Sequence, residues 1–211
     1  MALTPGTNCG FVTVAPTADP AASNTIIDAY AYAVKYTSPA TAIKVTEIGW
    51  YCDNATEEAN FEVGIYAHDA GDDEPGAVIG SLSQTNAKGT GAGWKKVTVD
   101  ITIEPNTIYW IAFQLDGTTT TTYLNYAAGS SRFARKDDPQ ITLSSPWGNS
   151  SVNYDNYDVA IYAVWTAGIN MKINIGDAWK DVNSMKINIG GSWKDVTEIK
   201  QNIGDTWKTV F

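Results

Sequence analysis

The chain has 211 residues, room for one sizeable domain and a small appendage, and 44% of them are hydrophobic, enough for a packed core. Its formal charge of −9 is uneven, with 8 basic and 18 acidic residues over positions 1–170 and 6 and 5 over positions 171–211. The acidic leading part argues against nucleic acid, whose binding depends on neutralising phosphates, and one histidine without clustered cysteines argues against zinc.

The opening MALTPGTNCGFVTV has no basic stretch followed by an apolar run, so neither an export signal nor a membrane span is expected. Cys9 and Cys52 then read as reduced thiols, with a disulfide between early strands still geometrically open. Residues 1–24, rich in Ala, Thr, Pro and Gly, form an N-terminal arm with a short strand around Val12 and Val14. A mixed segment from Ile26 to Thr37 is closed by Pro39. Ile43 to Cys52 reads as a strand whose phase slips near Glu47: Ile43 and Val45 precede the slip, Ile48 and Trp50 follow it, and one residue out of step predicts a bulge.

Cleaner alternation follows. Phe61, Val63, Ile65 and Ala67 share one face, and a polar loop from His68 to Glu74 leads through Pro75-Gly76 to Ala77-Val78-Ile79. Val97, Val99, Ile101 and Ile103 make the next strand, then Tyr109, Ile111, Phe113 and Leu115. The last strand of this part carries Val159, Ile161, Ala163 and Trp165. Short strands between turn residues, with no amphipathic helix, predict an all-β antiparallel sandwich over residues 1–167.

Two stretches could carry chemistry. Asp69, Asp72, Asp73 and Glu74 supply oxygen ligands of the kind calcium favours, yet they lack EF-hand spacing and read as a solvated turn. His68 has no Ser or Cys partner to frame it as a base, so no enzyme and no cofactor is expected. The stretch from Asp116 to Tyr157 reads as a long loop region, and such loops are usually functional. Its Tyr123, Tyr126, Phe133, Trp147, Tyr154 and Tyr157 are interleaved with Asn125, Arg132, Arg135, Asn149, Asn153 and Asn156. Flat rings with amides and guanidinium groups suit a sugar surface, and they suit a protein contact equally.

Beyond Ala167-Gly168 the chain repeats itself. MKINIGDAWKDVNS (171–184), MKINIGGSWKDVTE (185–198) and IKQNIGDTWKTVF (199–211) are one fourteen-residue unit written three times. Each unit alternates, turns at Gly-Asp or Gly-Gly, and alternates again, which predicts a β-hairpin over every repeat of the 168–211 module. A lone hairpin is marginal in water, so the apolar set needs cover: Ile173, Ile175 and Trp179, then Ile187, Ile189 and Trp193, then Ile203 and Trp207. Stacking the hairpins within one chain provides it; pairing them with other subunits, as in a homotrimer, provides it too. The lysines at matching positions read as a solvated ladder.

Several motifs resemble the jelly-roll, carbohydrate-binding-module-like sandwiches of bacterial extracellular and phage virion proteins. They are Val45-Thr-Glu-Ile-Gly-Trp-Tyr51, Val63-Gly-Ile-Tyr66 with Pro75-Gly76, Gly93-Trp94-Lys-Lys-Val-Thr-Val99 and Asn106-Thr-Ile-Tyr-Trp-Ile-Ala112. The tail is similar to the Ile-x-Ile-Gly-Gly-x-Trp-Lys-x-Val repeats at the ends of phage tail and other virion proteins, matched at Ile173 to Val182 and Ile187 to Val196, with Gln201 departing in the third copy. The resemblance implies a non-enzymatic virion protein of the decoration, fibre or adhesion kind, assembled in the host cytoplasm, with itself, other virion proteins and a host polysaccharide as partners. The alternative it leaves open is a secreted bacterial carbohydrate-binding module or adhesin.

Overall fold

The computed structural model describes all residues except 27–29, 56–60, 86–88, 116–121, 138–141, 168–170, 176–177, 183–184, 197–199, 204–205 and 210–211. The chain divides into two compact units, Met1–Thr166 and Ala167–Phe211. Among the described residues there are strands and no α-helix, so the fold is all-β.

The first unit is a sandwich of two sheets. One, of seven strands, runs in the order β1 (Gly10–Val12), β13 (Ile161–Ala167), β4 (Ala42–Ala55), β9 (Thr122–Ala128), β12 (Tyr157–Val159), with β2 (Ser23–Ile26) on β9 and β7 (Gly93–Thr102) on β4. The other, of six strands, runs β11 (Val152–Tyr154), β10 (Phe133–Lys136), β3 (Ala31–Thr37), β8 (Ile108–Leu115), β5 (Phe61–Asp69), β6 (Glu74–Thr85). β3 pairs antiparallel with β8 and β10, β4 with β7, and β5 with β8, while β1 runs parallel to β13.

Alternation fills the space between the sheets. Tyr32, Val34 and Tyr36 of β3 face Ile48, Trp50 and Cys52 of β4, together with Phe61, Val63, Ile65, Ile111 and Phe113, in one buried cluster. Trp50 stacks on Phe113 at 5.0 Å between ring centroids, tying the sheets together across the core. The bulge in β4 lies between Val45 and Glu47, as the slipped phase predicts. It lets Val45 and Ile48 both point inward while Glu47 turns out to accept a hydrogen bond from Tyr162 Oη at 2.8 Å.

The outer faces are covered by the chain itself. On the six-stranded sheet the outward positions Ala31, Ala33, Ala112 and Ala134 are small and leave a trough, in which Trp147 and Leu143 are buried beside Tyr66 and Trp110. Trp147 is wholly buried, with its backbone N–H donating to Gly76 O and its indole N–H to Ser150 Oγ, both at 3.0 Å. On the other sheet the N-terminal arm lays Leu3 and Cys9 against Tyr51 and Ala160, and Trp94 donates to Ala18 O at 2.9 Å.

Two expectations are corrected. The stretch from Asp116 to Tyr157 is not one long loop: β9, β10, β11 and the start of β12 run through it, because Tyr, Leu and Phe alternate there over runs too short to read as strands. The loop from His68 to Glu74 shrinks to residues 70–73, since Asp69 pairs with Glu74 and His68 with Pro75. Cys9 and Cys52 are buried and not disulfide-bonded, and burial pushes the Cys9 thiol up to about 12, out of the reactive range.

The second unit holds three two-stranded sheets: β14 (Met171–Ile175) with β15 (Ala178–Val182), β16 (Lys186–Ile189) with β17 (Ser192–Asp195), and β18 (Lys200–Ile203) with β19 (Thr206–Thr209). The three share one register, with Asn174 opposite Trp179, Asn188 opposite Trp193 and Asn202 opposite Trp207. In the middle hairpin Gly190 and Gly191 both have positive φ (61° and 83°), which a two-residue turn of the twist-matched type requires, and Asn188 Oδ1 accepts the Gly191 N–H at 3.0 Å.

Candidate functional site

Where the strand orders end, β12 of one sheet lies across from β10 and β11 of the other, and the core opens into a recess of about 190 Å³. Its floor is core: Leu124, Val159 and Tyr32 are almost fully buried. Phe133 and Tyr154, directly opposite each other on β10 and β11, stack at 4.8 Å between centroids and form one wall. Tyr157 meets that pair edge-on, at 6.0 Å from Phe133 and 6.3 Å from Tyr154, and also meets Tyr126 at 5.7 Å. The strand period puts these rings together, since Phe133 and Arg135 share a face of β10, as Leu124 and Tyr126 share a face of β9.

Arg135 closes the rim. Its guanidinium lies 5.1 Å from the centre of the Tyr30 ring and 6.0 Å from that of Tyr154, and its Nε donates to Asp137. Partial burial works against this charge, but the Asp137 carboxylate outweighs it, so the cation persists at any ordinary pH. Burial drives the Tyr32 phenol well above its usual range, so the floor offers a neutral hydroxyl. Apolar ring faces, phenolic donors and one fixed cation fit a flat ligand with C–H faces and a hydroxylated edge, which describes a pyranose.

Of the residues nominated from the sequence, Tyr126, Arg135, Tyr154 and Tyr157 line the recess. Five do not. Trp147 is a buried plug on the outer face of the six-stranded sheet and cannot be a platform. Asn125 is buried in β9 on the side opposite Leu124 and Tyr126, and Tyr123 alternates with it on that side. Asn149 is exposed in the segment around Trp147, away from the recess.

Arg132 turns to a separate polar hollow of about 570 Å³ that it lines with Lys35, Ser130, Ser131, Asp155 and Asn156. Phe133, one of the rings interleaved through residues 116–157, lines the recess as well, whereas Tyr32 and Thr25 were not nominated. Phe133 carried a signal, lying two residues before Arg135 on an alternating strand; Tyr32 reads only as core.

The acidic turn is engaged by protein groups. Asp73 pairs with Lys35 at 2.6 Å and Arg132 at 3.3 Å, Glu74 accepts Ser150 N–H at 2.9 Å and Asn153 Nδ2 at 2.6 Å, and Asp69 accepts Gly71 N–H at 2.8 Å. Among the described residues no three His, Cys, Asp or Glu side chains gather as metal ligands. His68 lies on a strand, its Nδ1 accepting the Trp110 indole N–H at 3.3 Å, with Nε2 3.7 Å from Asp73.

No protein-family model, no curated protein and no solved structure matches the chain.

Proposed function

We propose that the chain is a non-catalytic structural component of a phage virion, of the decoration, fibre or adhesion kind, whose sandwich contacts a surface glycan. The carrying observation is the recess in which Phe133, Tyr154, Tyr157 and Tyr126 surround an apolar floor beneath Arg135. A hollow of about 190 Å³ is sized for one sugar ring, so the unit bound is a chain end or a branch. The virion setting rests on the tail repeats and their resemblance to those of virion proteins. A secreted carbohydrate-binding module or adhesin is the second reading, favoured by the same recess.

Calorimetric titration with surface polysaccharides and with their single sugars tests the glycan reading. Saturable binding is expected, weakened at least about tenfold by Phe133→Ala or Tyr154→Ala, as loss of one stacking ring implies. Absence of binding to every sugar up to millimolar concentration refutes the glycan reading. Saturable binding to purified capsids or tails separates virion component from secreted module.

A further inference from the structure

In the middle hairpin of the tail, Ile187 stands opposite Lys194, Ile189 opposite Ser192, and Trp193 opposite Asn188. Directly opposed residues of an antiparallel pair share a face, so the isoleucines lie on one face and Trp193 on the other. The hairpin therefore carries a large apolar side chain on both sides. Ile187, Ile189 and Trp193 are 51, 57 and 69% exposed, so among the described residues both faces are largely open. Register thus gives the apolar set of this hairpin two faces to cover, one of isoleucine and one of tryptophan.

We infer that the covering surface is the same hairpin on other copies of this chain, the isoleucine face of one seating the tryptophan of the next. Three observations favour self-association over a foreign partner. The register Asn opposite Trp recurs in all three hairpins, so every chain presents the same geometry repeatedly. The tail is almost charge-balanced, with 6 basic against 5 acidic residues, whereas the leading part is strongly acidic, so copies repel least at the tail. The register also sets Lys186 opposite Asp195, so a basic and an acidic position stand at the same place on every copy.

Area points the same way. The exposed side chains of one hairpin offer on the order of 400 Å², whereas a stable interface needs about 800 Å² on each partner, so tandem repeats reach what one cannot. Two unlike faces make the contact heterologous, and a heterologous contact closes into a ring or runs on as a filament.

The test is light scattering on the full chain across about 1–100 μM, with full-chain Trp193→Ser and Ile187→Lys beside it. The parent is expected at a whole multiple of 22.8 kDa, and each variant is expected to need at least about tenfold more protein to assemble. A parent that stays monomeric overturns the inference, and so does an oligomer that neither variant weakens. Both substitutions lie in the second unit, so the unfolding transition and sugar titration of the first unit serve as folding controls. A failed glycan reading leaves this result untouched.

Discussion

Trp147 and Trp193 each sit beside residues of a short β-structure, yet one is wholly buried and the other is 69% exposed. The difference lies in what the chain supplies to cover a sheet face. In the sandwich, outward alanines on β3, β8 and β10 make a trough, and the segment around residues 143–150 brings Leu143 and Trp147 to fill it. That segment is fastened at several points: Tyr66 Oη donates to Ser144 O at 2.6 Å, and Leu143 N–H to Glu62 Oε2 at 2.5 Å. In the middle hairpin the turn is only Gly190-Gly191, and its apolar side chains lie open. An aromatic ring is core or surface according to its cover, and its type decides little.

The sharpest way to break that contrast is to remove both rings in turn. Trp147→Ala should cost the first unit about 3–5 kcal/mol, the usual loss for deleting a buried aromatic. Trp193→Ala, measured where the chain is dilute, should leave the same transition within about 0.5 kcal/mol. Urea unfolding followed by circular dichroism reads both. Equal losses would mean that the two rings share one environment, and the contrast would fall.

A smaller effect probes how tightly the arm-covered face is packed. A Cβ on Gly49 would lie 2.6 Å from the Tyr162 ring, which is fully buried and held by its hydrogen bond to Glu47. Gly49→Ala should therefore cost about 1–3 kcal/mol through overpacking. In the tail, a Cβ on Gly190 or Gly191 meets nothing within 4 Å, so strain there would come only from the positive φ. Thermal unfolding of Gly49→Ala without loss would show a looser face than the packing implies.

Much of the sandwich is readable from the residues alone. The phase slip at Glu47 announces the bulge, and the alternation in β5, β7 and β8 fixes their inward faces. What hides is whatever depends on distant cover. Ala31, Ala33 and Ala112 look like an ordinary mixed face until Leu143 and Trp147 arrive from elsewhere in the chain.

The recess was half legible for the same reason. Tyr154 and Tyr157 signal an aromatic patch, but only strand pairing brings Phe133 opposite Tyr154 and leaves Tyr123 and Asn125 on the other side of β9. The two-faced hairpin was legible in principle. With Ile189 and Ser192 closing a two-residue turn, counting outward sets Trp193 opposite Asn188, whereas reading each strand separately misses it.

The smallest effects separate two carboxylates of the sandwich by the sign of their pH dependence. Burial raises the Glu62 pKa despite the Leu143 N–H it accepts. Its contribution is then full below the ordinary carboxylate pKa and is lost as pH rises through the folded value. Glu62→Gln keeps an acceptor oxygen for Leu143 and should be slightly more stable than the parent at pH 7, with the advantage vanishing below about pH 4.

Asp73 behaves in reverse. Partial burial works against its charge, but the Lys35 hydrogen bond and the Arg132 and His68 charges outweigh it and hold its pKa low. That contribution is present above the unfolded pKa and is lost as pH falls through the folded one. Because the side chain is 42% exposed, Asp73→Asn should cost no more than about 1 kcal/mol at pH 7. Melting temperatures between pH 3 and 8 should show the two variants diverging from the parent in opposite directions as pH rises. Parallel curves would mean that Glu62 is as well solvated as Asp73, and that the segment carrying Leu143 and Trp147 does not seal the sheet beneath it.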